Sequence, residues 1–308
     1  MSEHLSTDFL IAGVRTRISS DRNDPPYSAM IEDLSAMRTT DPGEAECELM
    51  LHPRGWDEPS PLKLPADAKL LRSGGRKVFE HDGAYFIDFH EEAFFQLHAA
   101  RMEGVCYWGP ELDPMFWTEI CLPYVLALLL RRRGLFLLHA GGAVSPDGTA
   151  MLFTGRSGAG KSTTAFRLAE AGWTYLGDDM VFYDAHYRIH AFPKLAAATE
   201  WTVERLKLLP RVLRIRPTGK RVIRPWLAPA MPPEKFRIFA PIPATFAKNS
   251  IAPLDLDSAV EILSGQAQFC HTDHIVGGPA PDLVPLAART LEIRIGDLAS
   301  LPDFLAAI

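Results

Sequence analysis

The stretch Gly155-Arg156-Ser157-Gly158-Ala159-Gly160-Lys161-Ser162 fits the phosphate-binding pattern G-x-x-x-x-G-K-[ST] at every fixed position. Glycine reaches backbone conformations that other residues adopt only at a cost, so successive N–H groups can turn inward and cradle phosphate oxygens. Lys161 is then spaced to reach the β and γ phosphates, and the Ser162 hydroxyl to ligate Mg²⁺. The flanks agree. Residues 149–154 read as a short buried strand leading into the loop, and 163–171 as a helix with Gly172 as its C-terminal cap. The N-terminal end of that helix adds partial positive charge for an anion. The expected ATP site therefore runs from Gly155 through Thr163, on an α/β framework.

Just one helix downstream, Trp173-Thr174-Tyr175-Leu176-Gly177-Asp178-Asp179-Met180-Val181-Phe182-Tyr183 sets two adjacent carboxylates into an apolar, strand-like run. Such a pair is costly to bury unless it binds a metal or acts on a substrate. At this spacing either Asp178 or Asp179 can reach the Mg²⁺ while the other approaches the γ-phosphate. One carboxylate as metal ligand and one as base for an incoming hydroxyl is the division of labour that phosphoryl transfer needs. Upstream, residues 135–144 read as a strand ending at His139 beside Gly141-Gly142, followed by a hairpin around Pro146-Asp147-Gly148 that feeds the phosphate-loop strand. His139 is thus a third candidate for the site.

Composition sets the bounds. With 308 residues, 47% hydrophobic and 23% charged, the chain can bury a full core. A net charge of −6 gives no global attraction to nucleic acid or anionic membrane, and neither is expected as a partner. Cys47, Cys106, Cys121 and Cys270 are scattered without a C-x-x-C pair, which points to a reducing, cytoplasmic setting. No secretory signal pattern opens the sequence. The longest apolar run, 120–130, contains Pro123 and is too short to span a bilayer. It reads instead as part of a helical region 113–133, capped by Asp113, kinked or restarted at Pro123 and stopped by Gly134.

Before that helix, 9–19, 45–52, 77–89 and 104–108 cluster apolar and β-branched residues, with turn-formers such as Asp82-Gly83 and the polar, Pro-containing loops 21–26 and 53–65 between them. We expect a β-rich N-terminal module over 1–112, in which His81, His90 and His98 are dispersed and carry no chemistry, and a catalytic domain over 113–308. After the acidic pair, a helix-like segment 200–209 leads into a basic interval from Arg205 to Arg224. Lys220 and Arg221, beside Pro217-Thr218-Gly219, are candidates there for a substrate-side or γ-phosphate contact. A solvated face or an acidic peptide-docking surface reads equally well. The C-terminal part alternates strands (236–239, 244–253, 291–295) with helices (257–268, 298–307). Cys270, His271 and His274, lacking a second ligand pair, read as an ordinary loop. Leu263-Ser264-Gly265-Gln266 lacks the features of a transporter ATPase signature.

The combination of Leu138-His139, Gly155 to Ser162 and Gly177-Asp178-Asp179 resembles the catalytic domain of HPr kinase/phosphorylase, a bacterial serine kinase on a phosphate-loop fold related to phosphoenolpyruvate carboxykinase. The resemblance covers about 135–184. It implies that His139 matches the family's active-site histidine, Lys161 its phosphate lysine and Ser162 its magnesium hydroxyl. Asp178 then matches the group that handles the substrate serine proton, and Asp179 the metal-side carboxylate. Thr163 departs from the Glu usual after the loop Ser, and the β-rich N-terminal half and the missing phosphorylase signature depart as well. The chain looks more similar to the divergent HPr kinase-related proteins, among them the lasso-peptide precursor kinases. The expected activity is Mg-ATP-dependent transfer of phosphate to a hydroxyl, a serine of a peptide or small protein. A small-molecule kinase and a non-catalytic ATP-binding regulatory or assembly protein are the alternatives, and homo-oligomerisation is left open.

Overall fold

The structure, a computed structural model, describes residues 5–53, 63–90, 92–109, 112–229, 231–242, 248–267 and 282–308. Its backbone separates into two compact units, one ending at Leu135 and the other comprising the described residues from Phe136 onward.

In the first unit, β1 (Leu5–Ile11), β2 (Val14–Ser20), β3 (Cys47–Pro53), β4 (Lys69–Arg72), β5 (Lys77–His81), β6 (Ala84–Phe89), β7 (Ala93–His98) and β8 (Glu103–Trp108) form one sheet. Their spatial order is β1-β2-β3-β8-β7-β6-β5-β4, parallel at β2–β3 and β3–β8. Strict alternation of buried and half-buried positions along β7 and β8 marks a sheet covered on one face. The turn at Asp82-Gly83 has φ of 49° and 74°, the double positive φ that a tight hairpin requires. The apolar, β-branched stretch 9–19 belongs to a hairpin, in which Ala12-Gly13 adopts the same left-handed pair (51° and 84°). Alanine gives no turn signal. Residues 21–26, expected as a loop, start a helix: Asp24 accepts from the Tyr27 N–H at 3.2 Å and so caps Pro25–Asp33.

The apolar segment is one helix, Pro114–Arg133, long and apolar enough to cross a membrane by length and composition yet 67% buried. Within this unit Trp117 stacks on Phe95 at 5.5 Å and Tyr124 meets Phe89 edge-on at 5.8 Å, the packing of a core helix. The expected restart at Pro123 is present: the α-helical turn Pro114–Phe116 gives way to a π turn over Trp117–Cys121, and α-helix resumes at Leu122 with Pro123 in its first turn.

On the sheet's first hairpin, Asp8 lies directly opposite Arg17 and accepts two hydrogen bonds from its guanidinium, at 2.8 and 3.0 Å. Those bonds, with Arg15 3.6 Å away, outweigh partial burial and hold the Asp8 carboxyl below its ordinary value. A carboxylate so lowered stabilises the fold at neutral pH, and the contribution is lost as pH falls through the folded pKa. We expect Asp8→Asn to cost about 0.5–1 kcal/mol at neutral pH, with the gap to wild type closing in acid. Denaturant melts across pH check this, and a gap independent of pH contradicts it.

In the second unit the strands are β9 (Leu135–Leu138), β10 (Ala140–Val144), β11 (Thr149–Thr154), β12 (Thr174–Gly177), β13 (Val181–Asp184), β14 (Ile189–His190), β15 (Ala196–Ala198), β16 (Val212–Ile215), β17 (Arg221–Ile223), β18 (Lys235–Ile242), β19 (Ser250–Pro253) and β20 (Thr290–Arg294). They make a mixed sheet, β12-β10-β11-β18-β20-β19, and two small ones, β14-β13-β9 and β15-β17-β16. In the mixed sheet β11, β18 and β20 run parallel. The chain is thus a mixed α/β protein. Of the C-terminal expectations, the helix is Leu256–Gln266 with Asp255 as its cap, and the last helix is Leu301–Ala306. Strand 244–253 reduces to β19 over its described part, since 243–247 lie outside the described residues. The segment 200–209 is a helix only over Glu200–Arg205, capped by Thr199.

The helix Lys161–Glu170 fixes the functional end of this unit. Leu168 joins Met151, Phe153 and Phe239 in the core of the mixed sheet, while Ala165, Phe166 and Ala169 pack with Tyr175, Ala196 and Ile223 on the side of the small β15–β17 sheet. Wedged between two cores, the helix cannot rotate without exposing one of its faces.

Candidate active site

β11 ends at Thr154, and the loop that follows turns through Gly155, Gly158 and Gly160 with φ of 138°, 82° and 92°. An L side chain would be strained at each, so the sequence pattern and the backbone agree residue by residue. Gly160 is the N-cap and Lys161 the first residue of the helix. The Lys161 side chain folds back over the loop, its Nζ donating to the carbonyls of Gly155 at 2.7 Å and Arg156 at 3.2 Å. Burial lowers its pKa, and the charge of Asp179 opposes that shift.

A cavity of about 700 Å³ opens over this loop. The loop residues Ser157 to Thr163 line one side, His139 and Asp179 another, and Pro241, Ile242, Ile295 and Gly296, at the carboxyl ends of parallel strands, a third. Ligands of open α/β sheets bind at that end. Thr199, Trp201, Thr202, Arg205 and Lys220 complete the wall.

The acidic pair sits at a bend where the chain leaves the mixed sheet at the end of β12 and enters β13. Close packing permits the bend. A Cβ on Gly141 of β10 would come within 2.9 Å of the Asp178 carbonyl oxygen, and Gly177 carries a positive φ of 154°. The two carboxylates then face different surroundings. Asp178 is 5% exposed, is not part of the cavity lining, and accepts from the buried Tyr175 hydroxyl at 3.0 Å. Burial, then the neighbouring Asp179 charge, pushes its pKa up to about 6, against the opposing pull of Lys194 and Tyr175. Asp179 lines the cavity, with Oδ1 3.2 Å from His139 Nδ1 and Oδ2 3.6 Å from Lys194 Nζ. Burial alone would raise its pKa, but His139 and Lys194 together hold the carboxyl well below the usual range. Ser162 donates its hydroxyl proton to the Asp178 carbonyl at 3.2 Å, leaving oxygen lone pairs for another partner.

Of the residues singled out in the sequence, the fold thus gathers His139, Ser157 to Thr163 and Asp179 around one cavity, with Gly155 bonded beneath it through Lys161. Asp178 lies behind that wall. Lys220 reaches the cavity, whereas Arg221 is engaged by Glu200 and the Gly219 carbonyl. Cys270, His271 and His274 lie outside the described residues. Sequence reading missed Lys194 and Tyr175. A lysine inside the apolar run Phe192-Pro193-Lys194-Leu195 was the available signal, since a buried ammonium needs a carboxylate. Among the described residues no three His, Cys, Asp or Glu side chains converge as a metal cluster. Ser162 and Asp179 both line the cavity and present oxygen atoms, the ligand type that Mg²⁺ takes.

No family model matches the chain, and no curated protein matches it.

Gly141→Ala drives a methyl group into the Asp178 backbone, which has no flexible end to yield. We expect a loss of about 1–3 kcal/mol in stability, read as a lowered thermal midpoint. An unchanged midpoint contradicts the close packing of β10 under the acidic bend.

Proposed function

We propose that the protein is a Mg-ATP-dependent kinase of the HPr kinase-like type, on that family's phosphate-loop fold, which phosphorylates a hydroxyl, a serine of a peptide or small protein. The observation that carries this reading is the buried Lys161 ammonium, closed over a three-glycine loop at the head of a helix, facing a cavity whose opposite wall holds the His139–Asp179 pair. The loop N–H groups, the helix N-terminus and Lys161 would hold the triphosphate. Ser162 and Asp179 would hold Mg²⁺, which neutralises the charge that develops on the transferring group.

In the transfer, the acceptor oxygen forms a bond to the γ-phosphorus as the bond from that phosphorus to the β,γ-bridging oxygen breaks, ADP leaves, and the acceptor proton must go to a base. The resemblance gives that proton to Asp178. The placement on the cavity wall favours His139: Asp179 orients the ring through Nδ1 and leaves Nε2 for the acceptor. Asp178, behind the wall with Tyr175, then holds the bend that presents Asp179.

The test uses γ-labelled ATP with serine-bearing peptides and, in parallel, a pool of small hydroxyl compounds. His139→Asn should reduce turnover about 10²–10⁴-fold with nucleotide affinity retained, and Asp178→Asn should cost less. The reverse ranking returns the proton to Asp178. Label appearing only in small compounds overturns the peptide assignment. Nucleotide binding without any transfer leaves an ATP-binding regulator instead of a kinase.

A further inference from the structure

The basic interval folds into the small sheet β15-β17-β16, in which β16 has a neighbour on one side only among the described residues. Its free edge is not blunted by burial. Leu213 and Ile215 on β16 are exposed, Ile215 by 62%, and Leu209 just before it by 74%. Trp201, 60% exposed, lines the cavity wall, as does Lys220 in the turn that follows β16. An exposed edge strand with large apolar side chains is a template for another strand, and exposed apolar clusters mark interaction sites.

The charge of the surface says what kind of strand. Residues 200–224 carry eight Lys or Arg against two acidic residues, Glu200 and Glu204, in a chain of net charge −6. Arg211 pairs with Glu170 at 3.2 Å and covers the Trp226 ring, and Arg221 pairs with Glu200. Arg205 and Lys220 line the cavity itself. The chain's net charge of −6 gives no general attraction to nucleic acid as the occupant.

We infer that the edge of β16 docks an extended segment of the phosphate acceptor in which acidic and apolar residues alternate, and that the segment leads the acceptor hydroxyl to the cavity. The inference rests on the kinase reading and deepens it by naming the class of substrate. Main-chain hydrogen bonds along the edge supply affinity, and side chains of the added strand, alternating in direction, meet arginines on one face and Ile215 on the other. On its inner side, facing β17, β16 pairs regularly only at Arg214 and Ile215 after the register irregularity between Val212 and Arg214, with the Arg216 N–H donating to the Lys220 carbonyl at 2.8 Å, so the strand offers only a short outer edge. A ladder this short makes the docking modest in affinity and sensitive to salt.

The experiment uses the full chain and a fluorescein-labelled synthetic peptide alternating Glu with Val and Leu and ending in Ser-Gly, followed by anisotropy at low and high salt. Its control alternates Lys in place of Glu. Leu213→Asp and Ile215→Asp are the variants, both at exposed positions, with far-UV circular dichroism to show that they fold. The expected result is binding of the Glu peptide, no binding of the Lys peptide, weakening by high salt, and a loss of about tenfold or more in either variant. Equal binding of both peptides, or no loss in either variant, overturns the proposal. So does preferential binding of phosphatidylcholine–phosphatidylserine vesicles, or self-association that the same variants abolish. The rise in thermal midpoint on adding Mg-ATP is read on the same preparation: its absence counts against the kinase reading, while its presence with no peptide binding sinks the docking edge alone.

Discussion

The second unit is organised around one buried ammonium. Lys161 is the first residue of its helix, yet its side chain is buried over the loop that precedes it, on the carbonyls of Gly155 and Arg156. Such a group is tolerable only with partners or a counter-charge, and both are present: the loop carbonyls beneath and Asp179 across the cavity. The geometry depends in turn on the helix being immobile. Leu168 anchors one face in the mixed sheet, and Phe166 with Ala169 anchors another beside β15 and β17.

The same economy governs the acidic bend. Two adjacent aspartates receive opposite electrostatic treatment because only Asp179 is hydrogen-bonded to His139 and Lys194, whereas at Asp178 the pull of Lys194 is outweighed by burial and the Asp179 charge. Lys194 and His139 flank Asp179 and keep it anionic, whereas burial and the Asp179 charge drive Asp178 toward its neutral form. Glycines at 141 and 177 make the arrangement sterically possible, one by close approach to the Asp178 backbone and one by its φ. A divalent cation at Asp179 would compete with Lys194 for Oδ2, so the lysine doubles as a resident stand-in for positive charge.

The glycine loop 155–160, its strand and its helix were legible because their determinants are local: each glycine sits where the backbone needs a positive φ, and the strand spans the same residues in sequence reading and structure. The acidic pair and His139 were legible as candidates, and the cavity assembles His139 and Asp179. What escaped was non-local. That Asp178 faces inward depends on Tyr175 and β10, and the Lys194 counter-charge on a turn fifteen residues beyond Asp179. In the first unit the Ala12-Gly13 hairpin hid behind a residue with no turn preference, and the Asp24-capped helix behind two prolines that read as loop. The restart at Pro123 was legible because proline has no N–H to donate and so fits the first turn of an α-helix.

The central claim is that the loop under Lys161 is a triphosphate site. Calorimetric titration of the wild-type chain and of Lys161→Met with ATP, in Mg²⁺ and in chelator, tests it directly. The account predicts stoichiometric binding to wild type that strengthens with Mg²⁺, and a loss of about a hundredfold or more in the variant, since a desolvated charge–phosphate contact is removed. Equal affinity of the two proteins, or no binding to either, would contradict it.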